Sequence, residues 1–180
     1  MDFRYIIYYL LLFTSFNSFA QKTQVQQAQN SVGKLQVSIS KKEDIKKQLA
    51  VIGEGIKAIE LAEKDKKTKN WPETWAVKAY LSSYVALVDG ESNADKHFAS
   101  ATEALEKAKS LDKFQANSSL INAAAHNIII KKQNIGNDLF LQNDFTNAFK
   151  YLKEVSDFFP KDTTLAVNVG MCAQNIQLHN

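Results

Sequence analysis

The stretch Asn134-Ile135-Gly136-Asn137-Asp138-Leu139-Phe140-Leu141-Gln142-Asn143-Asp144-Phe145-Thr146-Asn147-Ala148-Phe149-Lys150-Tyr151-Leu152 reads as two helices with a tight turn between them. Gly136 and Leu139 stand one turn apart before the Asn143-Asp144 turn, and Phe145, Ala148, Leu152 and Val155 follow at helical spacing after it. The small residues Gly136 and Ala148 let two facing helices approach closely, and the larger side chains fill the gaps between them. Pro160 then forbids continuation past Phe159.

Working outward, the helix that holds Gly136 runs back through Ile128-Ile129-Ile130 to a Ser118-Ser119 cap. That length is roughly 35 Å, with Asn134 or Gly136 as the place for a bend. Beyond Pro160, Asp162 or Thr163 caps a further helix with Leu165, Val169, Ala173 and Ile176 facing inward. Upstream, Trp71-Pro72 opens a helix carrying Trp75, Ala79 and Leu81, with Tyr80 and Tyr84 on an adjoining face. The next helix starts near Asp95, presents Phe98, Ala101, Leu105, Ala108 and Leu111, and stops near Asp112-Lys113.

Ser40 and Glu43 have the spacing of a capping box for an earlier helix, whose stripe is Ile45, Leu49, Ile52, Ile56 and Ile59. Gly53 and Gly55 each cost that helix about 1 kcal/mol relative to Ala, which points to a close helix contact at this turn. The segment Lys64-Asp65-Lys66-Lys67-Thr68-Lys69-Asn70 has nothing to bury and reads as a solvated connection, a basic binding patch being the alternative. Residues 21–39 are rich in Gln and Asn, show no sustained apolar period and read as a flexible spacer. No strand alternation competes, so the fold class is all-α.

Two internal registers accompany this pattern. Asn134-Ile135-Gly136 recurs as Asn168-Val169-Gly170 thirty-four residues later, and Phe98, Ala101, Leu105 and Ala108 are echoed forty-seven residues later by Phe145, Ala148, Leu152 and Val155. With these residues in place, residues 129–162 resemble one tetratricopeptide repeat, with Gly136, Leu139, Ala148, Leu152 and Pro160 at its characteristic positions. Residues 72–112 are similar to a second repeat, and residues 163–180 to the first half of a third. Lys78, Ser82 and Lys132 depart from the family pattern, standing where larger apolar residues are usual, and the loop after the Trp75 helix is long. The resemblance, closest to exported bacterial members, implies antiparallel helix pairs stacked as a right-handed solenoid of about three repeats, the last incomplete. It also implies close helix approach at Ala79, Gly136 and Gly170.

The resemblance further implies a concave wall made by the first helices, formed here by Glu73, Ala76, Tyr80 and Ser83, by Gln133, Asn137 and Phe140, and by Thr164, Val167, Met171 and Gln174, with Tyr84 beside it. Such a wall of aromatic, amide and methionine side chains suits a protein or peptide partner, so the chain reads as a non-catalytic scaffold. A second reading is capture of a small ligand or neutral glycan, with Tyr80, Tyr84 and Trp71 as stacking platforms. The first helix of the third repeat reaches Asn180 without a second helix to cover it. Part of the apolar set around Met171, Cys172 and Ala173 is therefore expected to face solvent, and this edge to pair with a partner or a second copy, unless the array continues further.

The chemistry of the remaining residues sets other bounds. Lys plus Arg number 22 against 19 Asp plus Glu, too slight an excess to argue for nucleic acid. The single cysteine, Cys172, gives no disulfide framework and sits in an apolar helical pattern as a small core residue. His97, His126 and His179 lack metal-ligand spacing, His126 reading as a residue at the core edge, and no phosphate loop, GxSxG or CxxC occurs. No enzyme, cofactor or metal is therefore expected.

Arg4, the short apolar run Tyr5 to Phe13 and the small residues Ser18-Phe19-Ala20 form a secretory signal peptide over residues 1–20. The run is too short to span a membrane, and no Cys follows the cleavage site to take a lipid. A periplasmic or secreted protein without a transmembrane helix is expected after cleavage between Ala20 and Gln21. The intact mass of the exported chain is predicted to begin at Gln21; a retained Met1 contradicts this reading.

Overall fold

The computed structural model describes residues 23–90 and 93–179, and every regular element among them is an α-helix. Helix α1 covers 23–40 and is followed by α2 (Ile45–Lys64), α3 (Pro72–Val88), α4 (Ala94–Leu111), α5 (Ser118–Leu141), α6 (Phe145–Phe158) and α7 (Thr163–His179). The leader read over residues 1–20 lies outside the described residues. The chain divides into two compact units, one reaching Ala124 and one starting at Ala125, so α5 gives its first turns to the former and the rest to the latter.

In the first unit, α1 replaces the expected spacer. Val25, Ala28, Val32 and Leu35 are buried at steps of three and four, with Ser31 and Ser38 buried on the same side. Glutamines interrupt this stripe and two of its six members are serines, so the helical period does not stand out as a hydrophobic signal. Ser31 faces α2: a Cβ placed on Gly55 would stand 2.7 Å from Ser31 Cβ and 2.9 Å from Leu81 Cδ1 of α3. Gly55 is thus the close contact expected at this turn, whereas a Cβ on Gly53 would meet nothing within 4 Å.

The Ser40–Glu43 capping box does not form. Ser40 closes α1, donating from Oγ to the Val37 carbonyl at 2.8 Å, and Glu43 accepts from Ser38 Oγ at 2.6 Å. The cap of α2 is Asp44, which accepts from the Lys47 amide at 2.9 Å.

The lysine-rich connection likewise has something to bury. Thr68 is buried, donates from Oγ1 to the Ala62 carbonyl at 2.6 Å and receives the Thr74 hydroxyl on its own carbonyl at 2.9 Å. Trp75 Nε1 donates to the Lys69 carbonyl at 2.7 Å, so the loop is stitched to both helices it joins.

Helix α3 is the centre of this unit. Contacts of Tyr84 with Gln48, Leu81 with the Gly55 position and Lys78 with Glu63 run in opposite senses along α3 and α2, so the two are antiparallel. On another side α4 packs back along α3, with Lys107 Nζ 3.7 Å from the centre of the Trp75 ring. Helix α1 reaches α3 as well, through Gln29 Nε2 donating to Glu73. Surrounded in this way, eleven of the seventeen residues of α3 are buried, which leaves no open face along its middle.

The second unit is built around the stretch from Asn134 to Leu152. Helices α5 and α6 are antiparallel: His126 meets Phe159, Lys132 pairs with Glu154, and Phe140 meets Phe145. Asp144 caps α6 by accepting from the Asn147 amide, and Asp162 caps α7 by accepting from the Thr164 and Leu165 amides. Ala148, Leu152 and Cys172 form the core, with Leu139, Phe140, Phe149 and Val169 packed around it.

The forty-seven-residue register is structural, because Ala101, Leu105 and Ala108 in α4 and Ala148, Leu152 and Val155 in α6 are all buried. The thirty-four-residue register is not. Gly170 is exposed with open space around it, while Gly136 is buried against α6.

The departures from apolar pattern also find their reason. Lys78 and Lys132 each make an ion pair to the neighbouring helix, with Glu63 and Glu154. Their long stems cover apolar surface while the ammonium groups reach those carboxylates.

A Cβ on Gly136 would lie 2.8 Å from both Cγ and Cδ2 of Leu152 and 3.2 Å from Tyr151 Cβ. Even Gly136→Ala is therefore expected to destabilise by about 1–3 kcal/mol despite its better helix propensity. In a Leu152→Ala background the same change is expected to be neutral or stabilising. Denaturant melts of the four proteins of this cycle check it, and an equal cost in both backgrounds contradicts the packing.

Candidate functional site

The expected wall does not form a single accessible surface. Tyr80 is 7% exposed and Ser83 is fully buried, its Oγ donating to the Tyr80 carbonyl at 2.9 Å, so neither is available to a partner. Tyr84 is half-buried and its hydroxyl donates to Gln48, while Glu73 is half-buried and accepts from Gln29. The reading of α3 as an inner wall fails because α1, α2 and α4 all lie against it. Burial raises the phenol pKa of Tyr80, helped by Tyr84, and burial alone raises that of Tyr84. With Tyr80 enclosed, the glycan platform of Tyr80, Tyr84 and Trp71 does not assemble.

In the second unit Gln133 and Phe140 are half-buried and Asn137 is exposed, with Phe140 held edge-on to Phe145 at 5.4 Å between ring centres. The α7 residues fare differently. Val167 is 59% and Met171 44% exposed, and Thr164 and Gln174 are exposed on the same face. The opposite face of α7 carries the buried Leu165 and Cys172. Cys172 packs against Ala148 and Leu152 as the small core residue its apolar setting implied, and burial raises its thiol pKa above the ordinary value. A thiol so enclosed and protonated is a core residue, not a nucleophile.

Two recesses were not anticipated. One of about 370 Å³ in the first unit is lined by Trp71, Pro72, Glu73 and the turn Leu111 to Asn117, where Phe114 is 95% exposed. The other, about 650 Å³, lies at the turn between α6 and α7 and is lined by Phe158 to Thr163. The signal for the first was present in the sequence: Phe114 follows Asp112-Lys113 between two helices, in a turn where an amphipathic pattern has no use for an aromatic side chain. His126 is exposed and meets Phe159 at 6.1 Å between ring centres, outside the core edge assigned to it.

Among the described residues no group of three or more His, Cys, Asp or Glu side chains could hold a metal ion, and no helix is long and apolar enough to cross a membrane. Comparison of the chain with protein-family models, with curated proteins and with solved structures finds no match.

His97 is the titrating group with most to report. It is half-buried beside a cavity of about 30 Å³ shared with Ile56, Ile59, Glu60, Lys78, Ser82, Lys96 and Ser100. Desolvation and then the Lys96 charge lower its pKa below 6.5, outweighing Asp89 and Glu60. The unfolded chain therefore binds the proton more readily than the folded one, so stability is full above 6.5 and falls as pH drops through 6.5 towards the folded value. Melting temperatures measured across this window should decline for the wild type and decline less for His97→Gln; identical profiles contradict the assignment.

Proposed function

We propose that the chain is an exported helix-pair repeat protein of the tetratricopeptide type, a non-catalytic scaffold of the cell envelope that holds a protein or peptide partner. The observation that carries this reading is the two-sided character of α7, which is packed through Leu165 and Cys172 and open through Val167 and Met171. Methionine adapts its shape to varied apolar side chains, and Thr164 and Gln174 on the same face offer hydrogen bonds to a peptide backbone.

The order of elements supports the repeat reading: antiparallel pairs α1–α2, α3–α4 and α5–α6 precede α7. Ser118 follows Pro72 by forty-six residues and Thr163 follows Ser118 by forty-five. That period exceeds the roughly 34 residues of a tetratricopeptide repeat and is within the range of about 40–47 found for other helical repeats. The proposed relation is thus to the helix-pair plan, carried by longer helices. Export rests on the apolar run and small residues of the first twenty positions.

A photo-crosslinking residue at Val167 or Met171 should give one discrete adduct, with a partner protein or a second copy, and none when placed at the exposed Lys150. Met171→Lys should weaken that association at least about tenfold while leaving the melting temperature unchanged. Equal, diffuse labelling at all three positions contradicts the proposal.

A further inference from the structure

We infer that one end of the first unit docks on an anionic lipid surface, with the Phe114 side chain entering the bilayer interface and lysines facing the headgroups. Two turns meet at this end, since Trp71 and Pro72, at the start of α3, line the same recess as Leu111 to Asn117 after α4. Lys66, Lys67 and Lys69 are exposed on the first turn, and Lys113 is exposed on the second beside Phe114.

Both turns are held in place. Buried Thr68 and the Trp75 bond to Lys69 anchor the first. Asp112 anchors the second, accepting from the Ala116 amide at 3.1 Å and the Asn117 amide at 2.9 Å, with Gln115 in the left-handed region at φ 56. A 95% exposed phenylalanine on a pinned turn is offered to something outside the fold.

The acidic groups at this end are engaged within the protein. Asp65 accepts from the Lys67 amide, Glu73 from Gln29, Asp112 from its own turn, and Glu106 pairs with Lys109 at 2.9 Å. These carboxylates keep their charge, but Asp65 and Glu73 are half-buried and Asp112 is buried, whereas Lys66, Lys67, Lys69, Lys113 and Phe114 are exposed; the outward balance is cationic and aromatic, the complement of an anionic bilayer interface. The shape selects lipid over an acidic protein. A protein partner gains most from aromatic anchors seated in pockets at the interface centre, whereas Phe114 projects from a turn with 95% of its surface exposed.

Co-sedimentation of the full chain with vesicles of phosphatidylcholine alone, or of phosphatidylcholine mixed with phosphatidylglycerol, tests this; residues 1–20 are common to all variants, so the comparison among variants carries the test. The expected result is preference for the anionic vesicles that fades with added salt. The triple variant Lys66→Ala, Lys69→Ala, Lys113→Ala should lose on the order of a hundredfold in partitioning, and Phe114→Ala roughly tenfold. All four side chains are exposed, so the circular dichroism melt of each variant should match the wild type. Equal partitioning into both vesicles, or partitioning unmoved by these substitutions, overturns the inference. So does capture by polyglutamate without vesicle binding, which would assign the end to an acidic protein.

Discussion

No Cβ fits at Gly55 or at Gly136, and the helices of each unit are spaced by that exclusion. At Gly55, Ser31 of α1 and Leu81 of α3 close on α2 from two helices at once, so one missing side chain sets the approach of three elements. At Gly136, Leu152 occupies the space and in turn forms the core with Ala148 and Cys172, linking α5, α6 and α7. Interiors packed at crystal-like density do not accommodate an added methyl group by simple relaxation. The burial of Leu35, Ile52 and Leu81 in one unit and of Val155 in the other depends on these approaches being kept. Gly53 of α2 and Gly170 of α7 meet nothing and have no such role.

The helices from α2 onward were legible because their apolar residues are large and regularly spaced, and because Pro72, Asp144 and Pro160 punctuate the later ones. Gly136 was legible for the same reason: a glycine among isoleucines and leucines needs a packing explanation. Helix α1 was not. Its buried positions include Ser31 and Ser38, and the close fit at Gly55 calls for a small residue where a sequence reader looks for a large one. Helix α1 also reaches the face of α3 assigned to a partner, where Gln29 donates to Glu73, and α2 and α4 lie against α3 as well. Tyr80 and Ser83 thus moved from a binding wall to the interior.

The surfaces that stay open differ in chemistry, and each proposed role follows its own composition. The α7 face offers a branched aliphatic, a thioether, a hydroxyl and an amide, suited to an adaptable peptide contact. The turn-built end of the first unit offers an aromatic tip among exposed lysines, with Asp65 and Glu73 half-buried and Asp112 buried. His97 lies in neither surface; its desolvation between α2, α3 and α4 makes it a reporter of packing inside the first unit.

The central claim is that missing side chains at two glycines set the helix spacing. Its most direct test is a nuclear Overhauser measurement on selectively labelled protein, observing the Hα protons of Gly136 and Gly55. Cross-peaks are expected from Gly136 Hα to the Leu152 methyl groups and from Gly55 Hα to Ser31 Hβ and a Leu81 methyl group. Sharp spectra of a folded protein that lack these cross-peaks would contradict it.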